Sequence, residues 1–352
     1  VLTRPHEKEG GAMRVLVTGT TGVVGQEVVR ALTRSAGDID LVRATRRPAR
    51  PDEVAWAMGQ QPPPERLRGH WDAVVHTAAS TRWTMTREEA LAANIAPAEA
   101  VLDLVDDRTH LIHLSTAYAD GTDTEDHAVP SAFGRYRNGY EWSKAECEDL
   151  VRRRHGGPLT IVRPPLIIGS RADGSIGRFT GPYTLVQCLV SGLAAAVVGS
   201  PDGYAELAPV DQVAEVVTDA VYGEPPSSPC TQVIAGGDRC LRLGELLDTV
   251  CATLNEWRAE RGIAPITPPP FIAPERWHRF FLPLAEEHLS PVQLQVVRLL
   301  GMFESYTSLD RPFVHTRRAD DPATALARSV RWWADSRPRL ASRIPQPWGV
   351  MA

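Results

Sequence analysis

The apolar run Arg14-Val15-Leu16-Val17 leads straight into Thr18-Gly19-Thr20-Thr21-Gly22-Val23-Val24-Gly25, and Val23 to Thr33 then follows an amphipathic helical pattern. A strand, a glycine turn and a helix in that order constrain the chain more than any other feature. Glycines permit the tight turn and a close backbone approach, and the N–H groups at the helix N-terminus can hold a pyrophosphate. A glycine triplet alone is a weak signal, since an ordinary strand–helix turn gives it too; the flanking strand and helix give it weight. The expectation is a dinucleotide site built from Thr18, Gly19, Thr21, Gly22, Val23, Val24 and Gly25.

Further apolar strands are expected from Asp40, over Ala73 to His76, over His110 to Ser115 and over Leu159 to Arg163. Helical patterns lie between them at Arg87 to Asp106 and Tyr140 to Arg154. Strands buried on both faces and separated by helices imply a parallel sheet with right-handed crossovers. After Pro164, Gly and Pro punctuate the chain, and from Leu243 on it reads as mainly helical. The fold class expected is therefore α/β, a Rossmann-type doubly wound parallel sheet with a smaller, mainly helical C-terminal part.

Composition excludes several other classes. A net charge of −5 over 352 residues gives no support for a nucleic-acid or membrane-surface partner. No apolar run reaches the roughly 20 residues needed to cross a bilayer. The five cysteines (Cys147, Cys188, Cys230, Cys240, Cys251) are scattered, without a CxxC pair. They read as reduced thiols rather than disulfides or a zinc site, which places the protein in the cytoplasm. Residues 1 to 12 lack an apolar signal core and read as a disordered leader, with Met13 as an internal start.

The second strand ends in Arg43-Ala44-Thr45-Arg46-Arg47, where an NAD-selecting site usually has a carboxylate. Guanidinium groups there suit a 2′-phosphate, hence NADPH; a solvated basic loop is the bland reading. Tyr140-Glu141-Trp142-Ser143-Lys144 puts a phenol and an ammonium on one helix face. The cation is expected to bring the phenol's pKa down toward working pH, where it can exchange a proton with a carbonyl oxygen. YxxxK is common by chance, so its weight comes from Thr116, whose hydroxyl stands just past a strand at the carboxyl edge of the sheet. Asn94 is expected either to brace Lys144 through water or to be a surface amide. His76 is expected to lie beside the cofactor through its backbone. Arg82 and Trp83 are candidates for the substrate cleft. Arg152-Arg153-Arg154 reads as a solvated helix end, and Phe280-Phe281 and Trp332-Trp333 as core or interface.

Taken together, TGxxGxxG, His76-Thr77-Ala78-Ala79, Asn94, Ser115-Thr116 and YxxxK resemble the extended short-chain dehydrogenase/reductase superfamily over roughly residues 13 to 240. By that resemblance Thr116, Tyr140, Lys144 and Asn94 form the catalytic set. The cofactor set comprises the glycine turn, Arg43, Arg46, His76, Ala78, Ala79, Tyr140, Lys144, Pro164 and Ile167. Within the superfamily the chain is most similar to the fatty acyl-CoA reductase and thioester reductase branch. The segments that carry this are Leu41-Val42-Arg43-Ala44, Ser115-Thr116-Ala117-Tyr118, Arg163-Pro164-Pro165-Leu166-Ile167-Ile168-Gly169-Ser170 and Val210-Asp211-Gln212-Val213-Ala214.

Such a likeness implies an NADP-binding domain over 13–240, with substrate segments from about 164, and a helical substrate-binding part over 241–352. It implies NADPH-dependent reduction of an acyl thioester, on coenzyme A or a carrier protein supplied in trans, to an aldehyde or, by a second reduction, to an alcohol. A homodimer is the oligomer expected. The segment Gly169 to Tyr183, with Arg171 and Arg178, is expected to meet the pantetheine arm; its bland reading is a surface loop. The chain departs from the branch in lacking an Asp after the third strand and a carrier-attachment Asp-Ser-Leu. The alternatives are ketone or aldehyde reduction, epimerisation or dehydration of a nucleotide sugar, and a non-catalytic NADPH sensor. Sugar enzymes usually carry an acidic second strand, and sensors commonly lose the tyrosine; this chain has neither trait.

Overall fold

The computed structural model describes residues 12–35, 37–121 and 132–346. The leader expected over residues 1 to 12 lies, apart from its last residue, outside them. The chain forms two compact units that alternate along the sequence: Val1–Pro164 with Val213–Val233, and Pro165–Gln212 with Ile234–Ala352.

The first unit contains β1 (Met13–Thr18), α1 (Val23–Arg34), β2 (Ile39–Thr45), β3 (Glu53–Ala55), β4 (Ala73–His76), α2 (Arg87–Ala90), α3 (Ala96–Leu102), β5 (His110–Leu114), α4 (Gly139–Arg154) and β6 (Leu159–Arg163). The strands pair in the order β3-β2-β1-β4-β5-β6, and Cys230–Val233, part of the strand Cys230–Ala235, extends the sheet beside β6. Every one of these pairings is parallel. This is a Rossmann-type sheet, and the strand order reverses between β1 and β4, where such folds open a crevice at the carboxyl ends of their strands. Val15, Leu16 and Val17 of β1 and all of β4 are buried, as strands covered on both faces must be. Helix α1 buries Val24, Val28 and Leu32 at helical spacing, while its intervening residues stay more open.

The single helix expected over Arg87 to Asp106 is interrupted. Thr86 caps α2 in a reciprocal box with Glu89, and a π turn, Leu91–Ile95, then separates α2 from α3. Pro97 stands in the first turn of α3. It has no N–H to return to the preceding turn, which accounts for the break. Helix α4 starts on Asn138, whose side chain accepts from the Glu141 N–H, and ends in Arg152, Arg153 and Arg154, charges that suit its dipole.

The second unit is largely helical, with Tyr183–Ser191, Leu243–Ala259, Pro291–Thr307 and Pro322–Ser336 as its longer helices. Leu166–Ile168 pairs in parallel with Leu207–Pro209, and Ile234–Ala235 with Arg317–Arg318. Among the described residues, no helix is long and apolar enough to cross a membrane.

Candidate active site

The site residues of the first unit gather at the carboxyl ends of three adjacent strands. The turn after β1 begins with Gly19 at φ +73°, where a Cβ would stand 2.5 Å from the Ala78 nitrogen. The glycine turn is thus seated on the backbone that follows β4. Gly25, one turn into α1, approaches the Gly19 carbonyl so closely that a Cβ would stand 2.3 Å from its oxygen. Thr77 completes the joint, its hydroxyl donating to the Thr18 carbonyl at 2.7 Å. These contacts place Ala78 and Ala79 beside the glycine turn.

Two observations bear on whether a dinucleotide fits here. No side chain caps Gly22, the N-cap of α1, so the first-turn N–H groups face outward without a side-chain acceptor. Two buried polar atoms also lack a protein partner, the Thr20 hydroxyl in the glycine turn and Nε of Arg43 at the end of β2. A phosphate-bearing ligand would satisfy both kinds of group, so the residues present fit the cofactor. Arg43 also pairs with Asp52 at 3.2 Å, whereas Arg46 and Arg47 are exposed.

His76 is buried, and its Nδ1 lies 2.8 Å from the Thr18 hydroxyl. Burial, aided by the Lys144 charge, holds its imidazole down at about 3, so the ring is neutral and serves packing rather than proton transfer. His113, its partner in register on β5, is also fully buried and is held well below the usual range, chiefly by burial.

Thr116, two residues past β5, is buried, and its hydroxyl acts on the phenol of Tyr140, which is half-buried in the first turn of α4. Lys144 lies one turn further on, buried, with Nζ donating to the Leu114 carbonyl at 2.5 Å. The expected fall in the phenol's pKa is not found. Burial pushes Tyr140 up to about 12; the Thr116 hydrogen bond offsets part of this and the nearby Glu141 adds to it. Lys144 does not bring the phenol down, and its own pKa is lowered by burial.

Asn94 sits in the π turn and is buried. Its amide accepts from the Ser80 N–H at 2.6 Å and donates to the Ser80 carbonyl at 3.1 Å and to the Ser143 hydroxyl at 2.7 Å. It therefore ties the segment after β4 to α4, and among these bonds none reaches Lys144. Pro164 ends the first unit's first segment, its carbonyl accepting from the Ala117 N–H at 2.9 Å. Ile167 belongs to the second unit, half-buried on the strand Leu166–Ile168.

Several other expectations are revised. Arg82 is exposed and pairs with Glu89 of the α2 capping box. Arg171, expected near the pantetheine arm, instead holds Asp211 at 2.8 Å and Asp320 at 2.7 Å within the second unit. Trp333 is buried whereas Phe280 is exposed. Arg152, Arg153 and Arg154 are exposed at the end of α4, as expected, and Arg152 also bonds Glu148 at 2.8 Å and the Thr231 hydroxyl at 3.1 Å.

Sequence reasoning missed an ion-pair chain behind the site, buried at Glu148 and exposed at Asp120. Arg163, at the end of β6, grips Glu148 of α4 with two bonds of 2.7 Å and Asp120 with two of 2.9 Å. Glu148 stands four residues past Lys144 on one helix face, a spacing that could have drawn notice.

Comparison with known proteins bears out the resemblance. Residues 60–217 match the family described as Male sterility protein. Fatty acyl-CoA reductase 1 of Gallus gallus is 24% identical over 62% of this chain and 56% of its own length. An NRPS-like oxidoreductase, fscA of Fusarium equiseti, is 26% identical over 49% of this chain and 20% of its own. The chain thus spans about half of the first relative and a fifth of the second. Among solved structures, the terminal R domain of the myxalamid PKS-NRPS pathway superposes with a TM-score of 0.66 at 20% identity, covering 95% of this chain and 93% of that one. A thiolation-reductase di-domain from an archaeal non-ribosomal peptide synthetase gives 0.60 at 13% identity, covering 94% and 78%. MoeE5 in complex with UDP-glucuronic acid and NAD gives 0.55 at 16% identity, covering 92% and 99%. At these identities the structural likeness establishes the fold.

Proposed function

We propose that this protein is an NADPH-dependent reductase of an acyl thioester, with Thr116, Tyr140 and Lys144 as its catalytic residues. The observation that carries the reading is the Lys144 ammonium on the Leu114 carbonyl, two residues before Thr116 and one helix turn from a half-buried, protonated Tyr140. The names of the relatives, a fatty acyl-CoA reductase and an NRPS-like oxidoreductase, support the thioester as substrate. The thiolation-reductase neighbour supports a carrier protein as one source of it.

The glycine turn and the N-terminus of α1 would hold the pyrophosphate, and Arg43 with Arg46 the 2′-phosphate. Lys144 would meet the nicotinamide ribose. NADPH, when bound, supplies the hydride that reduces the carbonyl carbon. Thr116 and Tyr140 donate hydrogen bonds to the carbonyl oxygen and stabilise the negative charge that develops there. Tyr140 gives that oxygen its proton, a transfer for which a phenol still protonated at neutral pH is suited. The C–S bond at that carbon then breaks, the hydroxyl proton passes to the departing sulfur, and the products are an aldehyde and the free thiol. Asn94 acts at a distance by fixing the segment after β4 and the Ser143 hydroxyl.

The test is NADPH consumption by the purified chain with acyl-CoAs of graded length, acyl-pantetheine on a carrier protein, free aldehydes, ketones and nucleotide sugars, with product analysis. Thioester-dependent consumption yielding aldehyde is expected. Turnover confined to ketones or nucleotide sugars would overturn the reading.

A further inference from the structure

The chain of charges behind the candidate site links three segments that otherwise touch it separately. Glu148, on α4, has a side chain only 2% exposed and receives two bonds from Arg163 and one from Arg152. Burial alone would raise its pKa, but the hydrogen bonds and charge of Arg163 prevail and hold the carboxyl below the usual range. Arg163 ends β6, and its far side clasps both oxygens of Asp120. Asp120 lies four residues past Thr116, in the turn that leaves β5. One guanidinium thus joins the Thr116 turn, the end of β6 and the helix carrying Tyr140 and Lys144.

We infer that Glu148, Arg163 and Asp120 are positioning residues for this site. Their ion pairs fix the Thr116 turn against α4, and Glu148 sets its carboxylate one turn from Lys144 on the same helix face. The inference rests on the function proposed above for the meaning of turnover, but not for cofactor binding.

Geometry makes both roles concrete. A planar fork held on two sides fixes orientation as well as distance, which a single point charge does not. The groups facing Lys144 are few. On its own helix these are Tyr140, Cys147 and Glu148; His76 faces it from β4, and His113 faces it from β5 together with the Leu114 carbonyl. Both histidines are neutral above pH 7, and burial keeps Cys147 a thiol up to about 11 and Tyr140 a phenol up to about 12. In this set Lys144 carries the positive charge and Glu148, one turn further along α4, the negative one, which raises the lysine's pKa against the fall that burial causes.

The experiment uses three variants of the full chain, Glu148→Gln, Asp120→Asn and Arg163→Lys. NADPH affinity is measured by fluorescence from pH 7 to 10, and kcat and KM are measured with whichever substrate the wild type reduces. Glu148→Gln removes the negative charge beside Lys144. The alkaline loss of NADPH affinity should therefore move down by at least half a pH unit, and kcat should fall about tenfold or more. Asp120 is 73% exposed on the surface side of the chain of pairs, so Asp120→Asn should fold even if Glu148→Gln does not. It should lower kcat three- to tenfold with KM within twofold, and leave the alkaline limb in place. Arg163→Lys keeps the charge and should retain the limb while losing kcat, because the fork is gone. A merely structural role would lower melting temperature and leave the limb and the kcat of the folded protein unchanged, and that result overturns the inference. If the wild type binds NADPH but reduces no thioester, the proposed function fails while the pH limb still decides this inference. If Glu148→Gln does not fold, a wild-type kcat in both Asp120→Asn and Arg163→Lys overturns it.

Discussion

Gly25 offers a sharp test of how the nucleotide turn is built. A Cβ on Gly25 would stand 2.3 Å from the Gly19 oxygen and 2.8 Å from the Thr77 hydroxyl. Ordinary van der Waals separation is about 3.4 Å or more between such atoms, so Gly25→Ala must open the joint between the turn and α1 by about 1 Å. Overpacking of this kind costs roughly 1–3 kcal/mol, which for a unit of this size lowers the melting temperature by about 2–12 °C. The same opening moves the first-turn N–H groups away from the pyrophosphate position. Losing one charge-assisted hydrogen bond costs about 1.5–3 kcal/mol, or roughly 10- to 100-fold in NADPH affinity. Gly22→Ala is the control for stability, since its Cβ would meet the same oxygen at 3.1 Å and needs only a few tenths of an ångström. Calorimetry and fluorescence titration read both effects. A Gly25→Ala protein that melts and binds NADPH like the wild type would refute the reasoning.

Three further outcomes are expected. Tyr140→Phe should keep NADPH affinity within a few-fold while turnover falls roughly 100-fold or more, as loss of an acid catalyst does; near-normal turnover would remove Tyr140 from the mechanism. Arg43→Ala with Arg46→Ala should weaken NADPH far more than NADH, at roughly 1.5–3 kcal/mol for each hydrogen-bonded guanidinium–phosphate pair removed, and a wild type that binds the two equally would sink this. Acid should destabilise the first unit: His76 and His110 are held neutral in the fold, at about 3 and about 4, chiefly by burial. Their folded values lie below the unfolded one near 6.5, so their contribution is full above pH 6.5 and is lost as pH falls toward 4. Melting temperature should fall over that range, with a shallower slope for His76→Asn.

What the sequence made legible is what is local. The strands Ala73–His76 and Leu159–Arg163 match their expected bounds, because an unbroken apolar run between turn residues leaves little freedom. The glycine turn is readable for the same reason, and Thr116, Tyr140 and Lys144 do come together. The ion-pair chain is not readable. Arg163 meets Glu148 and Asp120 across 15 and 43 residues of chain, so its partners depend on strand order. Arg171 departs from its expected role for a related reason, since its carboxylates come from Asp211 and Asp320, 40 and 149 residues away. The break near Pro97 is visible in principle, as proline marks its own position, but helical periodicity runs through it.

The error over Tyr140 is the most instructive, because it concerns energy rather than position. The i, i+4 spacing does put phenol and ammonium on one helix face, and in water the cation would favour the phenolate. Burial removes that water from Lys144 and much of it from the half-buried Tyr140. The phenol then rises to about 12, and Lys144 engages the Leu114 carbonyl. At pH 7 such a phenol is ionised only about once in 10⁵ molecules. The protein therefore holds a proton ready to give rather than a base ready to take one, which is the state that reduction of a carbonyl requires. A tyrosine kept protonated near a carbonyl-anchored lysine thus holds the proton that reduction of a carbonyl consumes.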